Sequence, residues 1–273
     1  MIKYLIIIFH LSFLSQAQIS DTETLKVHYQ LDYVKHVDSD KRSVENLILV
    51  TKSDGCTYFM FETMVIIDSI QHSRSLNIAD VMRVRSPLYY LIEKNGSKIY
   101  HYESFGNDLL KFEEIIIFNW KLVNEQKVIR GYICNKATTN FEGRNWTAWY
   151  AADIPSNSGP YKFHGLPGLI LDLYDSDNIF HFVVERVELA KFDINPVVSN
   201  FFINDGDIVP QLVEKNNFYD FRRKYYSMTL NERIQYINRG EKGTYSLEVT
   251  SPIGEQLTSE RKPKTKNFIE KYD

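Results

Sequence analysis

The chain has 273 residues, with 32 Lys and Arg against 35 Asp and Glu for a formal net charge of −3, and 14% of it is aromatic. So even a charge balance excludes nucleic acid as the main partner, since that needs a basic face. The 18 Tyr and 17 Phe instead suit pleated strands with large side chains on both faces.

Met1-Ile2-Lys3 carries one positive charge, and a mostly apolar run follows from Tyr4 to Leu14, then Ser15-Gln16-Ala17. A charged start, a short apolar core and small residues at −3 and −1 predict a secretory signal peptide over 1–17, cleaved after Ala17. The run is shorter than the ~20 residues a spanning helix needs. With no cysteine near the cleavage site a lipid anchor is not expected either, so the mature chain is expected to be periplasmic or secreted. Cleavage removes one base, Lys3, leaving 31 bases against 35 acids and a net charge of −4.

Lys26–Val34 alternates as a half-buried strand, with Val27, Tyr29, Leu31 and Tyr33 on one face and His28, in a solvated position, on the other. Asp38–Lys41 is a turn. A second strand is predicted around Glu45–Lys52, Asp54-Gly55 closes a hairpin, and Cys56–Glu62 is a third strand. Met64–Ile67 is apolar, and 68–80 is expected to hold a short helix or loop. Leu88–Glu93 and Lys98–Ser104 flank an Asn95-Gly96 turn. Within the second of these strands His101 and Glu103 share a face and are read as a solvated pair. Ile115–Leu122 and Val128–Ala137 are predicted to pair through a turn at Asn124-Glu125-Gln126, and Asn145–Ala151 is a further strand.

After the Pro- and Gly-rich stretch 155–168, Leu169, Leu171 and Leu173 share a strand face. Asp175–Asn178 turns the chain, and Phe180, Phe182 and Val184 return. Strands so closely spaced favour an antiparallel sheet, curved or open as a half-barrel, in a mainly β (α+β) fold. Apolar spacing at Leu212, Phe218, Phe221, Tyr225, Met228 and Ile234 predicts one or two helices within about 208–238. Residues 18–260 thus read as a single domain, and 261–273 as a basic, solvated tail.

Cys56 and Cys134 are compatible with a disulfide in an oxidising compartment, or with two buried small hydrophobes. Asp172, Asp175, Asp177 and Asn178 cluster around one hairpin but lack the glycine and terminal glutamate of a calcium loop, and turn chemistry explains Asp175–Asn178 without a metal; His164 and His181 lack a third ligand at a fixed spacing. No zinc pattern, nucleophile elbow or phosphate loop is found, so neither catalytic residues nor a cofactor is expected.

Gly165-Leu166-Pro167-Gly168-Leu169-Ile170 is the signature of the GLPGLI family verbatim. Trp149-Tyr150, Asp153-Ile154-Pro155, Gly159-Pro160 and Lys162-Phe163 extend the likeness, so residues 128–188 resemble that family. The resemblance implies an exported protein of a Gram-negative bacterium and carries over no catalytic or binding residues. Read physically, Leu166–Leu169 has the composition of a type II turn, with Pro167 pre-setting φ and Gly168 accepting a positive φ. Two readings stand: a turn that sets the register of the Leu169 strand, or a lip beside a groove with Lys162, Phe163, His164 and Leu166 as candidate contacts. The functions that follow are a non-enzymatic envelope protein holding a lipid or hydrophobic peptide segment in the curved sheet, or one docking an envelope partner through 155–168.

Overall fold

A computed structural model describes residues 24–73, 90–106, 108–202, 209–237 and 266–270. The predicted signal peptide and most of the basic tail, including Arg261, Lys262 and Lys264, lie outside the described residues.

Among the described residues twelve strands form one open sheet: β1 (Thr24–Val34), β2 (Arg42–Thr51), β3 (Thr57–Phe61), β4 (Tyr90–Asn95), β5 (Lys98–Phe105), β6 (Asp108–Glu114), β7 (Lys121–Ile129), β8 (Tyr132–Phe141), β9 (Arg144–Ala151), β10 (Leu169–Asp175), β11 (Phe180–Ala190) and β12 (Gln211–Leu212). Their order is β12-β6-β5-β4-β3-β2-β1-β11-β10-β9-β8-β7, antiparallel except where β12 meets β6. Among the described residues four helices accompany them: α1 (Glu62–Ser73), α2 (Asn195–Phe202), α3 (Lys215–Ser227) and α4 (Leu230–Ile237). The mainly β, open antiparallel architecture and the two C-terminal helices agree with the pattern of the sequence. Among the described residues no helix is long and apolar enough to cross a membrane.

Alternation sorts the side chains into two layers. Tyr29, Leu31 and Tyr33 of β1, Leu47 and Leu49 of β2, and Phe59 and Phe61 of β3 join the main core on one face. Ile48, Val50, Tyr58, Met60, Leu91 and Tyr102 point the other way, beneath Met64 of α1 and Val197 of α2. On that second face His28 is not solvated: its nitrogens lie 2.9 Å from Glu62 and 3.2 Å from Glu188, because α1 brings Glu62 over β1.

The segment between β9 and β10, residues 152–168, lies across the first face. The Ile170 N–H donates to Ser158 O (3.1 Å), while the Tyr161 ring, three residues on, meets Tyr90 of β4 at 5.5 Å. In a flat sheet β10 and β4, five strands apart, would stand about 24 Å from one another, so the sheet must curl to bring both to one loop.

Several expectations are corrected here. The β7–β8 turn is at Arg130-Gly131 (φ 50° and 86°), not at Asn124-Glu125-Gln126, where the register shift between Val123 and Gln126 makes a bulge. Two consecutive positive φ values suit a tight hairpin, and Gly131 supplies one of them. Residues 115–120 are not strand, and β6 precedes them. Pro167 is the centre of a three-residue turn closed by Gly168 N–H to Leu166 O (2.9 Å), not of a type II turn. Gly168 has the expected positive φ (154°), but its main role is close approach: a Cβ there would sit 2.2 Å from Ala151 O. Cys56 and Cys134 are free and buried, in separate core clusters. Cys134 packs in the core of the first face and Cys56 in the cluster of the second, so the sheet itself lies between them.

Candidate functional site

Of the two readings of 155–168, a turn that sets the register of the Leu169 strand or a lip with Lys162, Phe163, His164 and Leu166 as contacts, the lip required Lys162 and His164 to face outward. The structure turns the segment inward. Phe163 is caged by Phe118, Phe141 and Trp146, with ring centroids at 5.1, 5.2 and 4.8 Å. Leu166 is buried in the same core. His164 is half-buried; its Nδ1 lies 2.8 Å from Lys162 O, and its own carbonyl accepts from Trp120 Nε1 (2.9 Å). Apolar side chains on a loop over an apolar face are driven inward, about 1.5–3 kcal/mol for each one fully buried.

Lys162, 2% exposed, is the exception, a cation taken inside with the apolar residues. Its Nζ reaches Glu114 at the end of β6 (2.7 Å) and Glu270 (3.3 Å), and lies 4.7 Å from the Phe112 ring centroid. Glu270 belongs to the C-terminal segment and is 3% exposed. Residues 266–270 are therefore no solvated tail. The Asn267 N–H donates to Lys35 O (3.1 Å), Asn267 Nδ2 donates to Val34 O (2.8 Å), and Arg144 donates to the carbonyls of Ile269 (3.0 Å) and Phe268 (3.2 Å). Two apolar residues, Phe268 and Ile269, give an otherwise charged tail a reason to leave water.

Around the Glu270 carboxylate four donors converge from elements other than its own. Tyr161 Oη donates to Oε1, Lys162 Nζ and Tyr219 Oη approach the same oxygen at 3.3 and 3.4 Å, and Arg222 Nη2 donates to Oε2 (2.9 Å). Lys215, Tyr219, Arg222 and Tyr226 are spaced i, i+4, i+7 and i+11, so one stripe of α3 carries all four. A second layer backs the first. Glu103 of β5 stands 3.5 Å from Arg222 Nη1 and accepts from Tyr226 Oη (2.9 Å), and Lys215 bridges Glu114 (2.7 Å) and Glu142 (2.6 Å). His101 and Glu103 do share a face, as expected, but as a buried pair 3.6 Å apart rather than a solvated one. Helix α3 and the C-terminal segment cover them, and no sequence spacing announces that cover.

Tyr161 itself is held at φ 57°, a left-handed conformation that a bulky side chain resists. Its ring, set edge-on to Tyr90 (5.5 Å) and His101 (6.0 Å), and its bond to Glu270 hold it there. Between Tyr90, Glu103, Arg222 and residues 267–270 is a cavity of about 20 Å³, room for one water. Tyr90 Oη borders it without a hydrogen-bond partner. Another, of about 10 Å³, lies under residues 158–164. Neither approaches the roughly 300–1,000 Å³ of a ligand chamber; the chain's own segments occupy the concave face.

Protonation follows from this environment. Burial alone would raise the Glu270 carboxyl, but Arg222, Lys162 and the Tyr161 hydroxyl outweigh it and hold it well below the usual range. Glu114 is lowered likewise, with Lys162 and Lys215 overcoming burial. Burial, seconded by Lys162, pushes the His101 imidazole down to about 4, so it is neutral at pH 7. Burial and the charge of Glu270 keep Tyr161 a phenol donor. This arrangement can hold a carboxylate in an apolar setting.

The Asp172–Asn178 cluster is internally paired. Asp172 meets Lys127 (2.6 Å) and His181 (2.8 Å), and Asp175 meets Arg144 (2.8 Å) and accepts from the backbone of Ile179 and Phe180 (both 2.8 Å). Of the site residues, Lys162 was singled out as a contact and His101 and Glu103 as a solvated pair. Tyr161, Glu114, Tyr219, Arg222, Tyr226 and Glu270 were missed. The available signals were Phe268-Ile269 in a charged tail and Arg222 on the inner face of a helix.

A family described as "Protein of unknown function (Porph_ging)" matches residues 140–172, a stretch that contains the hexapeptide 165–170. No curated protein matches the sequence. Among solved structures, PNGF-II in two crystal forms is similar at 18% identity, with TM-scores of 0.54 and 0.53, over 76% of this chain. The chain spans 34% of the length of PNGF-II, and at that identity the likeness concerns fold alone. A LolA superfamily protein from Nitrosomonas europaea (9% identity, TM-score 0.28, 63% of this chain and 88% of that one) also matches. So does a protein from Vibrio parahaemolyticus described as an outer membrane lipoprotein-sorting protein domain (6%, 0.29, 65% and 90%). Scores that low carry no argument about function.

Proposed function

We propose that the protein is an exported, non-enzymatic binding protein of the bacterial cell envelope, a GLPGLI family member that holds a peptide segment with an apolar pair on its concave face. The observation that carries this reading is the grip on residues 266–270. A segment remote in sequence from β1 and β9 is held there through its backbone at Asn267, Phe268 and Ile269, while the Ile269 side chain enters the core and the Glu270 side chain is buried beside it. A slot that holds backbone through hydrogen bonds and takes particular side chains into pockets is a general means of peptide uptake. The alternative of docking through an exposed 155–168 lip is disfavoured, because Phe163 and Leu166 are each 1% exposed.

The test uses the full mature chain carrying Asn267→Ala and Phe268→Ala, which loosens the internal occupant. A labelled pentapeptide of sequence Lys-Asn-Phe-Ile-Glu should bind this variant saturably and at least about tenfold more tightly than wild type, where the chain's own segment competes. Absence of binding, or stoichiometric acyl lipid in the purified protein by native mass spectrometry, would count against the reading. Export itself is checked by the mature amino terminus, expected at Gln18.

A further inference from the structure

We infer that the pocket filled by Glu270 is a carboxylate-recognition site, formed by Tyr161, Lys162, Tyr219 and Arg222, which selects an acidic side chain after two apolar residues in the bound segment. This rests on the segment-binding reading and names the chemistry the slot selects.

The four donors come from the 152–168 crossing and from α3, so the pocket belongs to the body of the protein and the carboxylate to its occupant. Both oxygens are engaged, Oε1 by two phenols and an ammonium and Oε2 by a guanidinium, a geometry that matches a planar anion. A segment needing only burial would be anchored by Phe268 and Ile269 alone. Burying a carboxylate beyond them is unfavourable unless the receiving groups are already placed. They are placed at a cost: Tyr161 is kept at φ 57°, the kind of local strain that collects at binding sites. Tyr90 Oη, buried and unpartnered, borders the cavity beside the carboxylate and leaves room for a water next to the anion. Ionisation is consistent with this, since the surrounding cations hold the Glu270 carboxyl ionised despite its burial.

The experiment is chemical rescue in the full chain. Glu270→Ala removes the carboxylate and leaves its donors facing a hole of carboxylate size. Sodium formate at about 100 mM should then raise Tm by roughly 3–5 °C over equal sodium chloride, saturably, and leave wild type unmoved. An identical Tm in formate and chloride overturns the inference. Should Glu270→Ala not fold, Glu270→Gln decides: a Tm several degrees below wild type supports carboxylate selection, and an unchanged Tm overturns it. Rescue reads the pocket without any peptide, so it stands or falls separately from the pentapeptide titration. With both peptides amidated at the carboxyl terminus, a pentapeptide ending in Gln that binds as tightly as the one ending in Glu would sink the carboxylate claim alone.

Discussion

Lys162 and Phe163 are adjacent in the chain, buried to nearly the same extent (2% and 1% exposed), and held by opposite means. Phe163 fits a cage of aromatic rings, where the attraction is non-directional and scales with apolar contact. Lys162 is held by Glu114 and Glu270, contacts that are favourable only while every partner is present. One loop thus carries the packing anchor of the concave face and, one residue away, the electrostatic latch for the C-terminal segment. Burial alone therefore says nothing about which kind of interaction holds a residue, or about how it fails.

The first way to break both halves together is at the hinge they share. Gly168→Val places a Cβ against the backbone of Ala151 and Ala152 at a positive φ. We expect more than about 4 kcal/mol lost and no cooperative thermal transition. A folded Gly168→Val variant would show that the crossing does not depend on that close approach.

Next come the two anchors. Phe163→Ala should cost about 3–5 kcal/mol in urea unfolding by leaving a cavity, and Lys162→Met about the same by taking one of the two cations from each of buried Glu114 and Glu270. The difference shows in repair. Adding Glu114→Gln should return roughly 1–2 kcal/mol to Lys162→Met, because Lys215 keeps Glu142, and nothing to Phe163→Ala. Equal behaviour of the two double variants would erase the distinction between them.

Acid separates the halves further. His101 titrates near 4 when folded and near 6.5 when unfolded, so between those values the unfolded chain takes a proton that the native site refuses. Stability is therefore complete above about pH 6.5 and falls by up to about 1.4 kcal/mol per pH unit toward pH 4. The paired carboxylates of Glu270 and Glu114, both lowered, add a further loss below about 4.5. His101→Phe should flatten the first phase of a stability-against-pH curve and leave the second, whereas the Phe163 cage should contribute to neither. The smallest effect is expected at the rim: Lys136→Ala, which removes an exposed pair with Glu125 (3.0 Å), should change stability by less than about 1 kcal/mol.

Much of the frame was readable before any coordinates. Val27 to Tyr33, the Asn95-Gly96 hairpin and the Leu169–Val184 hairpin carry period-two patterns and turn residues that mean the same thing wherever they occur. Apolar spacing placed the two C-terminal helices, and Thr229 and Glu232 cap α4 reciprocally, with bonds of 2.7 and 3.3 Å. The β7–β8 hairpin was misread because Asn124-Glu125-Gln126 has turn composition, yet the chain absorbs it as a bulge.

What the sequence alone determined is local: the strands, most of their turns, the need for glycine at 168, and an apolar loop that has to be buried somewhere. Tertiary structure decided the rest. It placed 152–168 over the face instead of at an edge, kept Cys56 and Cys134 apart, and enclosed His101 and Glu103. It also brought Lys162, Arg222 and Glu270 from three distant stretches to one point. The physical reason is range: backbone propensity and side-chain alternation act over a few residues. The favourable burial of a charge instead depends on partners whose positions are set only when the whole sheet has curled.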